Sequence, residues 1–135
     1  MALFFKVGDT AKSVRSFSAD DVERFAESSG DRNPIHLDED FARASMFGER
    51  IVHGMLVASL FSGLLGGTLP GEGTIYLSQS LSFKRPVPIN AEVTAIVRVI
   101  KIREDKPIVT LETTCVDAGG EVVIEGEAVV MVPFS

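Results

Sequence analysis

A carboxylate and an imidazole, Asp31 and His36, stand five positions apart in Gly30-Asp31-Arg32-Asn33-Pro34-Ile35-His36. The spacing is not helical, but a proline-stiffened bend can aim both side chains at one point. Together they would form an acid–base pair, and catalytic groups favour loops held on a rigid scaffold. The alternative is plain turn chemistry, because Asp-x-Asn-Pro also forms turns through side-chain bonds to nearby backbone. A second cluster is His53-Gly54. If a helix begins there, the N–H groups from Gly54 to Val57 lack intrahelical partners and would stabilise negative charge on a substrate oxygen. Glycine at 54 would also let a substrate approach the backbone closely, the alternative being a plain helix start with glycine there only for packing. For His53 the bland reading leads: a buried imidazole most often simply bonds to backbone.

The stretch that must position these groups is Ile51–Gly67, IVHGMLVASLFSGLLGG. His53 is its only titratable side chain, and its apolar residues point in every direction. Such a helix must be enclosed. Crossing a bilayer takes roughly 20 apolar residues, and this run is shorter and broken by Ser59, Ser62 and Gly63. Gly66-Gly67 supplies the stop. Upstream, Thr10–Phe17 reads as a strand after a Val7-Gly8-Asp9 turn. Ser18 with Asp20 and Asp21 caps a helix carrying Val22, Phe25, Ala26 and Ser29 on one face and ending at Gly30. Asp31–Leu37 is expected to be irregular because of Pro34, and Asp38–Ala44 a short helix capped by Asp38.

Beyond the turn at Thr68–Gly73, four segments read as strands: Ile75–Lys84, Glu92–Glu104, Ile108–Asp117 and Glu121–Val132. They are rich in Val, Ile and Thr, and short separators suit antiparallel pairing. Glu92–Glu104 is largely apolar on both faces, so part of its second face is expected to meet another surface. The simplest structure is α+β: one domain, residues 1–135, with an antiparallel sheet curled around the apolar helix in the hot-dog arrangement.

Composition narrows the function. The formal charge of -6 leaves no basic footprint for nucleic acid. The single cysteine, Cys115, excludes an intrachain disulfide and fits a reducing, cytoplasmic setting. The MALFFKVGD start has no cationic region and too short an apolar stretch for a signal peptide, and no membrane association is expected. No glycine-rich dinucleotide motif, phosphate loop, zinc spacing or nucleophile elbow is legible. Cys115 itself reads as core.

Phe25–Ala42, FAESSGDRNPIHLDEDFA, resembles the signature of the MaoC-like, or hydratase 2, family of (R)-specific enoyl-CoA hydratases: an aromatic residue, Gly-Asp-x-Asn-Pro-x-His, and a small residue six positions after the histidine, here Ala42. Likeness continues through IVHGMLVASLFSGLL and SLSFKRPV, and is strongest to the stand-alone bacterial enzymes supplying polyhydroxyalkanoate synthesis. Ser28 departs from the family's usual aliphatic residue.

The resemblance implies a hot-dog homodimer that adds water to trans-2-enoyl-CoA, giving (R)-3-hydroxyacyl-CoA, with no cofactor beyond the coenzyme A of the substrate. It implies that Asp31 and His36 hold and activate one water, Asp31 as base and His36 as its partner in moving the proton. Gly54, Ser62 and Asn33 are then the oxyanion and substrate-binding positions, Ser62 being equally readable as a small packing residue. Leu65 and Val130 are expected to close the acyl pocket, with plain core as the alternative. Lys84-Arg85, or Lys101 and Arg103, are sources of charge for the CoA phosphates, with solvated strand ends as the alternative. Rival functions are an acyl-CoA thioesterase on the same fold and a non-catalytic acyl-binding module.

Overall fold

The structure, a computed structural model, describes residues 4–133. Met1, Ala2 and Leu3 of the MALFFKVGD start lie outside the described residues. The elements in chain order are β1 (Thr10–Arg15), α1 (Ala19–Ser29), α2 (Pro34–Leu37), α3 (Glu39–Arg43), α4 (Gly54–Gly67), β2 (Ile75–Gln79), β3 (Ser82–Phe83), β4 (Val93–Ile102), β5 (Ile108–Asp117) and β6 (Val122–Met131).

The strands form one antiparallel sheet in the order β1-β4-β5-β6-β2, with β3 also paired to β6. Alternation along β4 buries Val93, Ala95, Val97 and Val99 in the core with Phe61, Leu64 and Leu65 of α4. This is the hot-dog arrangement: a sheet curled against one long apolar helix. The second face of β4 is only half-buried at Thr94, Ile96 and Ile100, and Arg98 there pairs with Glu112 at 3.3 Å.

Three expectations change. First, the segment Ile75–Lys84 is not one strand. Ser80 turns in onto β6, its N–H donating to the Glu127 carbonyl at 2.9 Å and its hydroxyl accepting from the Glu127 N–H at 3.0 Å. Only glycine fits beneath it: a Cβ on Gly126 would run into the Ser80 carbonyl. Second, α4 is not enclosed all round. It buries Val57, Ala58, Leu60, Phe61, Leu64 and Leu65 but leaves Met55, Ser59, Ser62, Gly63 and Gly66 exposed. Ser and Gly are neither strongly apolar nor charged, so this open stripe left no trace in the hydrophobic pattern. Third, Asp31–Leu37 is not wholly irregular, because Pro34 opens the one-turn helix α2. Proline is tolerated at a first helical position, where its missing N–H would find no partner anyway.

Candidate active site

Local bonding shapes the loop that carries Asp31 and His36. Gly30 closes α1 in the left-handed region at φ 79°, where glycine is unstrained. The Ser29 hydroxyl donates to the Phe25 carbonyl at 2.7 Å and accepts from the Asp31 N–H at 3.0 Å. Asp31 Oδ1 accepts from the Asn33 N–H at 3.2 Å, and Asn33 Oδ1 accepts from the Ile35 N–H at 3.2 Å, capping α2. Arg32 ties the loop back to Glu23 of α1 at 2.6 Å. The turn reading does not exclude the acid–base one: Asp31 spends one oxygen on the turn and keeps the other.

The segment Arg50–His53 grips this loop at four points. The Ile51 N–H donates to the Ile35 carbonyl at 3.3 Å, and Arg50 Nε donates to the His36 carbonyl at 2.7 Å. His36 Nδ1 lies 2.7 Å from the Ile51 carbonyl, and His53 Nε2 lies 3.0 Å from the Asp31 carbonyl. A carbonyl only accepts, so each of these ring nitrogens bears the proton. In the neutral rings, His36 then keeps its lone pair at Nε2 and His53 at Nδ1. The two rings stack, centroids 3.9 Å apart and planes 27° from parallel, and Phe25 leans on His53 at 4.8 Å.

His53 is 2% exposed, and its Nδ1 has no partner among the described residues. Leaving a buried polar atom unmatched costs roughly 1–3 kcal/mol, which an apolar residue would avoid. Burial pushes the His53 pKa below its ordinary value, as does the neighbouring His36, while the bond to the Asp31 carbonyl and the Asp31 charge oppose the shift.

The amide end of α4 completes the site. The first bonds of the helix run from Leu56 and Val57 to the His53 carbonyl, so the N–H groups of Gly54 and Met55 have no acceptor among the described residues. Both residues line a cavity of about 510 Å³ together with Asp31, His36, His53, Val57, Phe83 and Ile124. Lys84 and Arg85 flank the same cavity, paired with Glu125 at 3.6 Å and Glu121 at 3.5 Å. A Cβ on Gly54 would lie 2.7–2.8 Å from carbons of the Phe83 ring. Glycine there makes room for Phe83, a packing reason whose partner the sequence did not name.

Asp31, His36 and Gly54 thus meet at one cavity. The other expected positions do not reach its wall within this chain. Asn33 spends its side-chain oxygen capping α2. Ser62 lies on the open side of α4, in a separate groove of about 400 Å³ with Ser59, Tyr76 and Leu77. Leu65 and Val130 are core, 2% and 0% exposed. Arg103 binds Asp105 at 2.6 Å, and neither Lys101 nor Arg103 lines the cavity. Arg50, Phe47 and Phe83 were not singled out by sequence, and nothing in their spacing marks them.

Asp31, His36 and His53 each bring one donor atom within 4.8 Å of the other two, a set that could hold a metal ion and that no sequence spacing suggested. Two of its four ring nitrogens donate to carbonyls, the usual support of a ligating imidazole, and this leaves His36 Nε2 and His53 Nδ1 as the ring atoms that could ligate. Cys115 is buried in β5, its thiol pushed up to about 12 by desolvation, and takes no part. Among the described residues no helix is long and apolar enough to cross a membrane.

Known proteins are similar to this chain in sequence and fold. The MaoC like domain matches residues 6–119. An (R)-specific enoyl-CoA hydratase of Aeromonas caviae is 56% identical, covering 95% of this chain and 96% of its own. A second (R)-specific enoyl-CoA hydratase, from Rhodospirillum rubrum, is 50% identical over 95% of this chain and 88% of its own. A solved structure described as the (R)-hydratase from A. caviae involved in PHA biosynthesis superimposes with a TM-score of 0.96 at 55% identity, covering 98% of this chain and 100% of that one.

Proposed function

This chain belongs to the MaoC-like domain family, and from that premise we propose that its cavity hydrates trans-2-enoyl-CoA reversibly to (R)-3-hydroxyacyl-CoA. One observation carries the reading: Asp31 and His36 open onto the same cavity as the unpartnered amides at the start of α4. A base, a proton carrier and an oxyanion site are what the reaction needs. The thioester carbonyl already makes the β-carbon electrophilic, so no metal or redox cofactor is required.

Water sits between the Asp31 carboxylate and His36 Nε2. As its oxygen bonds to the β-carbon, Asp31 takes one proton, and the electron pair of the double bond moves onto the thioester oxygen. The Gly54 N–H receives that charge, a donor of the kind that contributes roughly 3–4 kcal/mol to a transition state. The proton passes through His36 Nε2 to the α-carbon, and the carbonyl reforms. His36 becomes a cation only in transit, and its Nδ1–H stays on the Ile51 carbonyl. No proton is gained or lost, so the same groups serve dehydration.

Lys84 and Arg85 at the cavity are the cations for the CoA phosphates. The protein works in the cytoplasm, and its product is the monomer class of polyhydroxyalkanoates. It acts as a homodimer: the open stripe of α4 faces the groove shared with Tyr76 and Leu77, and β2 beside it leaves Ile75, Tyr76 and Leu77 exposed. The deciding experiment is crotonyl-CoA hydration, followed by loss of enoyl absorbance with chiral analysis of the product and a free-thiol assay. Formation of (R)-3-hydroxybutyryl-CoA is expected. Thiol release without hydration would make the protein a thioesterase, and binding without turnover an acyl-binding module.

A further inference from the structure

His53 does more than fill the core. It occupies the N-cap position of α4, and no side-chain bond caps the helix there. Its ring is spent elsewhere: Nε2–H holds the Asp31 carbonyl, 22 residues back in the chain, and its face carries the His36 ring. The next residue, Gly54, begins the amide end of the helix. One side chain therefore joins the peptide of the base, the plane of the proton carrier and the oxyanion end of α4.

We propose that His53 is a positioning residue, setting the distance of Asp31 and His36 from the Gly54 amide through its single Nε2–H bond and its stacking face. This rests on the hydratase reading above. Three features of the site support it. The bond and the stack are both present, and Nδ1 is buried and unmatched, so the ring is not retained to satisfy its own polar atoms. No other side-chain donor reaches the Asp31 carbonyl among the described residues. Small misplacements matter in such sites: an error of about 1 Å can cost on the order of 10²-fold in rate.

The test uses two substitutions of opposite reach. Gln places its amide nitrogen where Nε2 lies in the ring, whereas the shorter Asn cannot. In H53N, kcat for crotonyl-CoA is expected to fall on the order of 10²-fold, with KM little changed and the circular dichroism spectrum retained. H53Q is expected to recover most of that loss. Equal kcat in wild type, H53N and H53Q would overturn the proposal, as would equal loss in both variants. Should H53N fail to fold, nitrogen NMR of the wild-type protein decides: Nε2–H on His53 with Nδ1–H on His36 supports the clasp, and Nδ1–H on His53 overturns it. A wild-type protein that does not hydrate crotonyl-CoA would sink the hydratase reading instead, and the tautomer measurement would still report on the clasp.

Discussion

The imidazole of His36 lies against that of His53 at a centroid distance of 3.9 Å, and the Nδ1 of His36 and the Nε2 of His53 each point at a backbone carbonyl. The pair leaves one lone pair toward the cavity and one sealed away. His36 Nε2 is open to exchange a proton, and His53 Nδ1 is not.

Asp31→Asn keeps an oxygen for the Asn33 N–H bond, so the turn survives while the charge is lost. His36→Asn likewise places an amide donor near the Ile51 carbonyl but has no equivalent of Nε2. Each variant is expected to lose about 10²–10⁴-fold in crotonyl-CoA hydration, the usual value of positioned proton transfer, with an unfolding midpoint near that of wild type. Near-normal turnover in either would remove that residue from the mechanism.

Gly54→Ala forces its new methyl into the Phe83 ring. Phe83 is 52% exposed and can swing outward, so the stability cost should fall below the ~1–3 kcal/mol typical of overpacking. The cavity wall moves with the ring, and kcat/KM should fall. Steady-state kinetics beside a denaturant curve separates the two effects. A large stability loss with unchanged kinetics would contradict this account of Gly54.

Stability should fall as pH drops below the ordinary histidine value of 6.5, and His53 is the cause. Its folded pKa is lowered by burial, against the partial compensation from Asp31, so the unfolded chain takes up the proton first. Between 6.5 and the lowered folded value the unfolded state binds more protons, and acid favours it. Below that window this contribution flattens. Urea midpoints measured across the range should show the loss in wild type and a smaller one in His53→Gln.

Replacing Lys84 and Arg85 by Ser should raise KM for crotonyl-CoA and flatten its dependence on salt, since attraction between exposed charges is screened. The crotonyl thioester of N-acetylcysteamine has no phosphates and should be turned over as before. An equal change for both substrates would mean that the two cations act through the fold.

Much of the fold was legible because its determinants are local. Ser18 and Asp21 form a reciprocal cap at the start of α1, Gly30 ends that helix, and the strands alternate with a period of two. The turn at Asp31 and Asn33 was legible too, since its bonds span only a few residues, but the one-turn helix that Pro34 opens was not. Other features depend on packing between distant segments. The His36–Ile51 bond spans 15 residues and the His53–Asp31 bond 22, and both tautomers follow from those contacts. The pressure of Phe83 on Gly54, the inward turn of Ser80 onto Gly126, and the placing of Ser62 in a second groove arise in the same way. Caps, turns and alternation are settled among near neighbours and can be read from residue types. Which imidazole stays open to a proton is settled only when a carbonyl from elsewhere in the chain comes to rest against the other nitrogen.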